Sequence, residues 1–180
     1  MITIHTINDL SNTNLISLLT SNLSQITDPD IIKNYHPDYR NIKGNLFQIL
    51  EDAQGRYKKG NYYIIEDDGK YLGSAGWNEY NDVALLCTRA YLIPGHRHRF
   101  LMSKYLLPKM FEETASYDRL WFTFNDHNLP IYNTLIKLSE KNDRISDKSL
   151  LRKNYGNFKP IGQRQVYSVI QNVLEYDKSK

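Results

Sequence analysis

The chain has one cysteine, Cys87, in 180 residues, which excludes an internal disulfide framework and a cysteine-built zinc site. No apolar run reaches the roughly 18 residues that a membrane-spanning helix needs, so no membrane role is expected. The start, Met1-Ile2-Thr3-Ile4-His5, lacks the basic and apolar regions of a secretory signal. A cytoplasmic, reducing setting is the expectation. There are no internal repeats and no low-complexity segments. What the chain does have is core-forming residues. Leu, Ile, Val and Phe supply 48 positions, roughly 27%, above the ~20% that marks disorder. At this length one domain over 1–180 is expected, large enough to bury about 70% of its unfolded surface.

A net charge of +3 is too small to require a nucleic-acid partner, but its distribution is uneven. Residues 137–164 carry eight basic side chains (Lys137, Lys141, Arg144, Lys148, Arg152, Lys153, Lys159, Arg164) against three acidic ones. That stretch reads either as a surface for an anionic partner such as nucleic acid or as a solvated loop and helix face.

Residues 2–6 alternate and predict a first strand. Two apolar helical patterns follow, Leu15 to Leu23 and Leu46 to Ala53, separated by a loop over 27–42. Residues 61–66 and 71–80 predict a hairpin through Asp67-Asp68-Gly69-Lys70, since Asp-Gly supplies left-handed turn positions. After a turn at Asn81-Asp82, residues 83–93 are nearly all apolar and predict a strand buried on both faces. A helix over about 100–115 would bury Leu101, Tyr105, Met110 and Phe111, with Pro108 kinking it or capping a second piece. Then come a strand at 120–124, a helix over 131–138 led by Pro130, a polar loop over 140–156, and final strands at 158–162 and 165–176. The order β-α-α-β-β-β-α-β-α-β-β describes an α+β fold with a mainly antiparallel sheet and one local parallel crossover.

Two strand-to-helix junctions carry chemistry. In Leu92-Ile93-Pro94-Gly95-His96-Arg97-His98-Arg99-Phe100-Leu101-Met102-Ser103, the forked donors of Arg97 and Arg99 at a helix start suit a phosphate or pyrophosphate. The alternative is a basic surface turn. In Phe124-Asn125-Asp126-His127-Asn128-Leu129-Pro130-Ile131-Tyr132, Tyr132 falls one turn into a helix, where a phenol can act as an acid or simply pack. Asn125 reads first as a cap or turn residue, and His127 as a possible base or a solvated side chain.

This element order and both junctions resemble the GNAT acetyltransferase superfamily over roughly residues 2–176. Leu92, Pro94 and Arg97 take the hydrophobic, Pro and first Arg positions of its V-x-P-x-x-R-G-x-G-x-G motif; His98, Phe100 and Met102 stand at the glycines. Asn125, Asn128 and Tyr132 take the spacing of N-x-x-A-x-x-x-Y, with Asn128 in place of Ala. The run Lys104-Tyr105-Leu106-Leu107-Pro108 is also similar to GNAT-like proteins encoded by phages.

The resemblance implies a sheet of six to seven strands and acetyl-CoA as co-substrate, with an acetyl group passing to an amine, small-molecule or protein, by direct attack. It places backbone groups of Tyr91, Leu92 and Ile93 on the pantetheine arm. Arg97, His98, Arg99, Phe100, Leu101, Met102 and Ser103 fall on the pyrophosphate, and Asn125 beside the cofactor. Tyr132 would protonate the departing thiolate. The family often supplies its general base from strand four; this strand four has no carboxylate, so Glu79 at the end of strand three, or a water chain, is the substitute. The same resemblance leaves two alternatives: a non-catalytic GNAT-like module holding nucleic acid through 137–164, or a transferase that modifies nucleic-acid bases.

Overall fold

A computed structural model of the chain describes residues 1–6, 56–92, 95–96, 101–124, 129–142 and 158–176. The helical patterns expected over 15–23 and 46–53, and the loop over 27–42, lie outside the described residues. Seven strands form one sheet: β1 (Ile2–Thr6), β2 (Gly60–Asp67), β3 (Lys70–Tyr80), β4 (Val83–Leu92), β5 (Leu120–Phe124), β6 (Phe158–Val166) and β7 (Val169–Tyr176). Their order is β1-β2-β3-β4-β5-β7-β6. A 3-10 turn, Arg56–Lys59, leads into β2. Among the described residues, two α-helices are α1 (Leu107–Glu113), preceded by a π-helical segment Met102–Leu106, and α2 (Leu129–Asn142). No described helix is long and apolar enough to cross a membrane.

The chain divides into two compact units, one of Met1–Asn78 with Arg89–Arg99, the other of Glu79–Thr88 with Phe100–Lys180. In the first, β1 pairs antiparallel with β2, and β2 with β3. The β2–β3 turn has Asp68 and Gly69 both left-handed, at φ 49° and 80°, as the Asp-Gly pair predicts. Tyr63, Ile64, Ile65, Leu72 and Ala75 are buried here. Ser74 Oγ lies 2.7 Å from the hydroxyls of both Tyr62 and Tyr71, so the buried polar groups partner one another. A Cβ on Gly76 would stand 2.7 Å from the Asn61 carbonyl oxygen and 2.7 Å from the Tyr57 ring, which is why β3 has no side chain there.

In the second unit, β4 runs parallel to β5, β5 antiparallel to β7, and β7 antiparallel to β6. Val83, Leu85, Trp121, Val166 and Val173 form a buried cluster, with Tyr80 and Ile161 packed against it. Because successive strand residues alternate, Phe122 points the other way. It stacks on Phe158 at 4.4 Å between centroids, and Phe111 of α1 meets Tyr176 at 5.1 Å. The β6–β7 hairpin turns at Tyr167 and Ser168 between the paired Val166 and Val169. β6 is an outer strand of the sheet, with a register shift between Pro160 and Gly162.

Four sequence expectations are corrected. β4 is buried at 83–86, but Cys87 and Thr88 are half-buried and Ala90 is exposed, so the continuous apolar run does not mark burial along its whole length. In the first helix, Leu101, Leu106, Leu107 and Met110 are buried, while Tyr105 and Phe111 are only half-buried. The cause is the π segment, in which the Leu107 N–H donates to the Met102 carbonyl. One extra residue in the turn moves the next inward position from Leu101 + 4 to Leu101 + 5. Pro108 then stands in the first turn of α1, where its missing N–H costs nothing. Next, α2 continues to Asn142, taking in the first residues of the expected polar loop. Finally, the last strands meet at Tyr167-Ser168 rather than at 163–164, because the alternation Val166, Ser168, Ile170 runs through a turn without a break.

Candidate active site

The candidate site residues that the structure describes fall on β3, β4, α2 and the segment leading into α1. β4 and β5 pair at Ala84, Leu85 and Leu86 with Leu120, Trp121 and Phe122. The next β4 residue, Cys87, is left-handed at φ 55°. Its left-handed backbone departs from the extended conformation of a strand at the residue after the last β4–β5 pair, Leu86 with Phe122. No sequence signal marks Cys87 as this point. Burial pushes its thiol up, which makes Cys87 a poor nucleophile at neutral pH.

Beyond it, Tyr91 and Leu92 end β4, with Leu92 half-buried. Ile93, Arg97, His98, Arg99 and Phe100 lie outside the described residues. Leu101 and Ser103 are buried and Met102 is half-buried. Exposed Lys104 sets its ammonium 5.2 Å from the centroid of the neighbouring Tyr105 ring. Asn125, His127 and Asn128 lie outside the described residues.

Tyr132 is half-buried on the first turn of α2. Its ring meets Phe124, the last residue of β5, edge-on at 5.5 Å. The Tyr132 ring thus lies against the last residue of β5. Glu79 is half-buried near the end of β3. Its Oε2 accepts a hydrogen bond from the Tyr117 hydroxyl at 2.7 Å, a partner that sequence reading missed because it lies 38 residues away. Burial first, then the bond to Glu79 and the charges of Glu79 and Asp82, push the Tyr117 phenol up to about 12. Tyr117 therefore stays a donor throughout the working pH range. It is held by its own N–H to the Thr114 carbonyl at 3.0 Å, and Thr114 is tied to the Met110 carbonyl through its N–H and hydroxyl. The contacts of Tyr132 and Glu79 are separate, and neither involves the other. Of the basic stretch, Lys137 and Lys141 fall on α2 and Lys159 and Arg164 on β6; Lys137, Lys159 and Arg164 are exposed.

No protein-family profile matches the sequence, and no curated protein matches it. Solved structures do match. An acetyltransferase of the GNAT family from Staphylococcus aureus Mu50 is 13% identical, with 98% of each chain covered and a TM-score of 0.59. The fold is that of the GNAT acetyltransferases. The PaiA N-acetyltransferase of Thermoplasma acidophilum, solved in complex with coenzyme A, is 15% identical over 98% of this chain and 99% of its own, with a TM-score of 0.54. An acetyltransferase from Streptococcus agalactiae 2603 is 14% identical over 97% of each chain, with a TM-score of 0.59. The likeness in fold rests on superposition over nearly the whole chain rather than on sequence identity.

Proposed function

We propose that the chain is an N-acyltransferase that moves an acetyl group from acetyl-CoA to an amine. The observation that carries this reading is the β4–β5 ladder, recorded over 84–86 and followed at once by a left-handed Cys87. It occurs in a fold whose solved neighbours include N-acetyltransferases, one of them in complex with coenzyme A. The residues present fit such a co-substrate. A strand that breaks its ladder turns backbone groups away from the neighbouring strand, and Tyr132 presents its ring at the end of β5.

In this reading backbone groups of Tyr91, Leu92 and Ile93 hold the pantetheine arm. Arg97 and Arg99, with residues 98 and 100–103, hold the pyrophosphate, and Asn125 lies beside the cofactor. When bound, acetyl-CoA supplies an activated thioester. Glu79 takes up the proton lost by the amine through intervening water. As the amine nitrogen bonds to the carbonyl carbon and the carbon–sulfur bond breaks, Tyr132 donates its hydroxyl proton or a hydrogen bond to the departing sulfur. The acceptor is a small-molecule or protein amine.

Calorimetry with acetyl-CoA tests the reading. The unaltered chain should bind, and the double variant Arg97→Ala/Arg99→Ala should lose about 2–4 kcal/mol, using roughly 1.5–3 per charge-assisted hydrogen bond and allowing for non-additivity. If the unaltered chain does not bind acetyl-CoA, the reading fails. If the double variant binds as tightly, the pyrophosphate assignment fails alone.

A further inference from the structure

We propose that Phe124 is a positioning residue for acyl transfer, its ring setting where the Tyr132 hydroxyl stands. The inference deepens the acyl-transfer reading and rests on it. Tyr132 is half-buried on the first turn of α2. The backbone N–H groups of a first turn have no intrahelical carbonyl to bind. A half-exposed phenol there has two side-chain torsions, and packing decides which rotamer it keeps. Among the described residues the ring that meets Tyr132 is Phe124, at 5.5 Å between centroids with planes inclined at 64°. An edge-to-face contact has a preferred orientation, so it fixes an angle as well as a distance.

Phe124 can do this because it is itself held. It is buried, and its backbone pairs with Asn172 of β7. Phe122, two residues back and so on the same face of β5, lies 6.3 Å from it with planes at 69°. Phe122 in turn stacks on Phe158 at 4.4 Å, and both are buried. Tyr132 therefore ends a row of four rings, and it is the half-buried one among three buried ones. Close packing restrains the rotamer of each inner ring, and the last of them, Phe124, passes that restraint to the phenol.

The chemistry of the two side chains separates their parts. Phe124 carries no side-chain donor or acceptor, so it takes no share in the proton step. Its effect has to pass through Tyr132, whose oxygen must come within hydrogen-bond reach of the departing sulfur. Displacing such a group by about 1 Å costs up to about 10²-fold in rate. Leucine at 124 keeps an apolar side chain in the sheet but offers no ring to orient the phenol.

The test is a double-mutant cycle on acetyl transfer to butylamine. Phe124→Leu should lower kcat by about tenfold or more, with acetyl-CoA affinity by calorimetry unchanged. In the Tyr132→Phe background the same change should alter kcat by less than about twofold, because the oxygen it positions is gone. An equal fall in both backgrounds, or none in the first, overturns the proposal. A second readout needs no catalysis. With 3-fluorotyrosine at all 14 tyrosine positions, the fluorine signal absent from Tyr132→Phe belongs to residue 132. Phe124→Leu should move it toward the position of the free amino acid, whereas Phe111→Leu, which loosens contacts with Phe158 and Tyr176, should leave it in place. A signal unmoved by Phe124→Leu, or moved as far by Phe111→Leu, overturns the proposal. Phe124→Met, unbranched and adaptable, takes the place of Phe124→Leu if the latter does not fold. If the unaltered chain binds no acetyl-CoA, the acyl-transfer reading fails, and the fluorine signal alone decides whether Phe124 places the ring.

Discussion

In the proposed reading, Tyr132 and Glu79 divide the chemistry, and their surroundings differ. Tyr132 contacts Phe124 through its ring edge, so Tyr132→Phe keeps the packing and removes only the oxygen. A role confined to the transition state predicts a fall in kcat of about 10²–10⁴-fold if the phenol transfers a proton, with acetyl-CoA affinity and melting temperature unchanged. Steady-state kinetics with calorimetry would show it; full turnover would leave the residue with a packing role alone. Glu79→Gln should lower kcat/KM by about 10²-fold while keeping a partner for Tyr117, and an unaltered rate would move the proton to solvent. The position of Tyr132 on the first turn of a helix was legible in the sequence from its spacing after Asn125 and the helix-starting Pro130; its chemical role is a proposal. Tyr117 was not, because its bond to Glu79 joins residues far apart in the chain. Left-handed Cys87 was not either: cysteine carries no preference for that conformation, and only the meeting of two strands reveals the need for it.

Strands and tight turns are the elements that short-range patterns describe well here. β1 follows from alternation, and the turns at Asp68-Gly69 and Asn81-Asp82 from residues that tolerate positive φ. The turn at Tyr167 defeats the same logic, since tyrosine is a poor residue for it and the apolar alternation passes straight through. The helix after β4 defeats a different rule. A period of 3.6 puts Tyr105 inside, whereas the π segment Met102–Leu106 puts Leu106 there, fully buried. Paired truncations separate the two registers. Leu106→Ala should cost about 2–5 kcal/mol by loss of burial and cavity formation, and Tyr105→Ala about 1 kcal/mol or less, both read from urea midpoints at constant m. The reverse order would restore a regular α-helical register.

For the whole molecule, paired groups set how stability varies with pH. Glu66 is held below its ordinary range by the hydrogen bond with His5 at 2.7 Å and by the Gly69 N–H. Burial pushes Glu175 up, but bonds from the Trp121 indole at 2.8 Å and the Arg119 guanidinium at 3.0 Å more than offset it, leaving a net lowering. Both carboxylates contribute stability that is present above the unfolded value of about 4.5 and lost as pH falls through their lower folded values. Tyr117 acts at the other end: its contribution is present below 10 and lost as pH rises toward about 12. Urea midpoints against pH should therefore fall on both flanks. Glu66→Gln should shallow the acid flank and Tyr117→Phe the alkaline one; identical flanks in the variants would detach these contacts from stability. One further property follows from β6, the outer strand beside β7. Its rim has a proline without an N–H at position 160, a shifted register by Gly162, and exposed cations at Lys159 and Arg164. A foreign strand finds no continuous row of donors to join there. At that margin, concentrated protein should resist seeded fibril growth, because the template that cross-β stacking requires is broken within two residues of where it would begin.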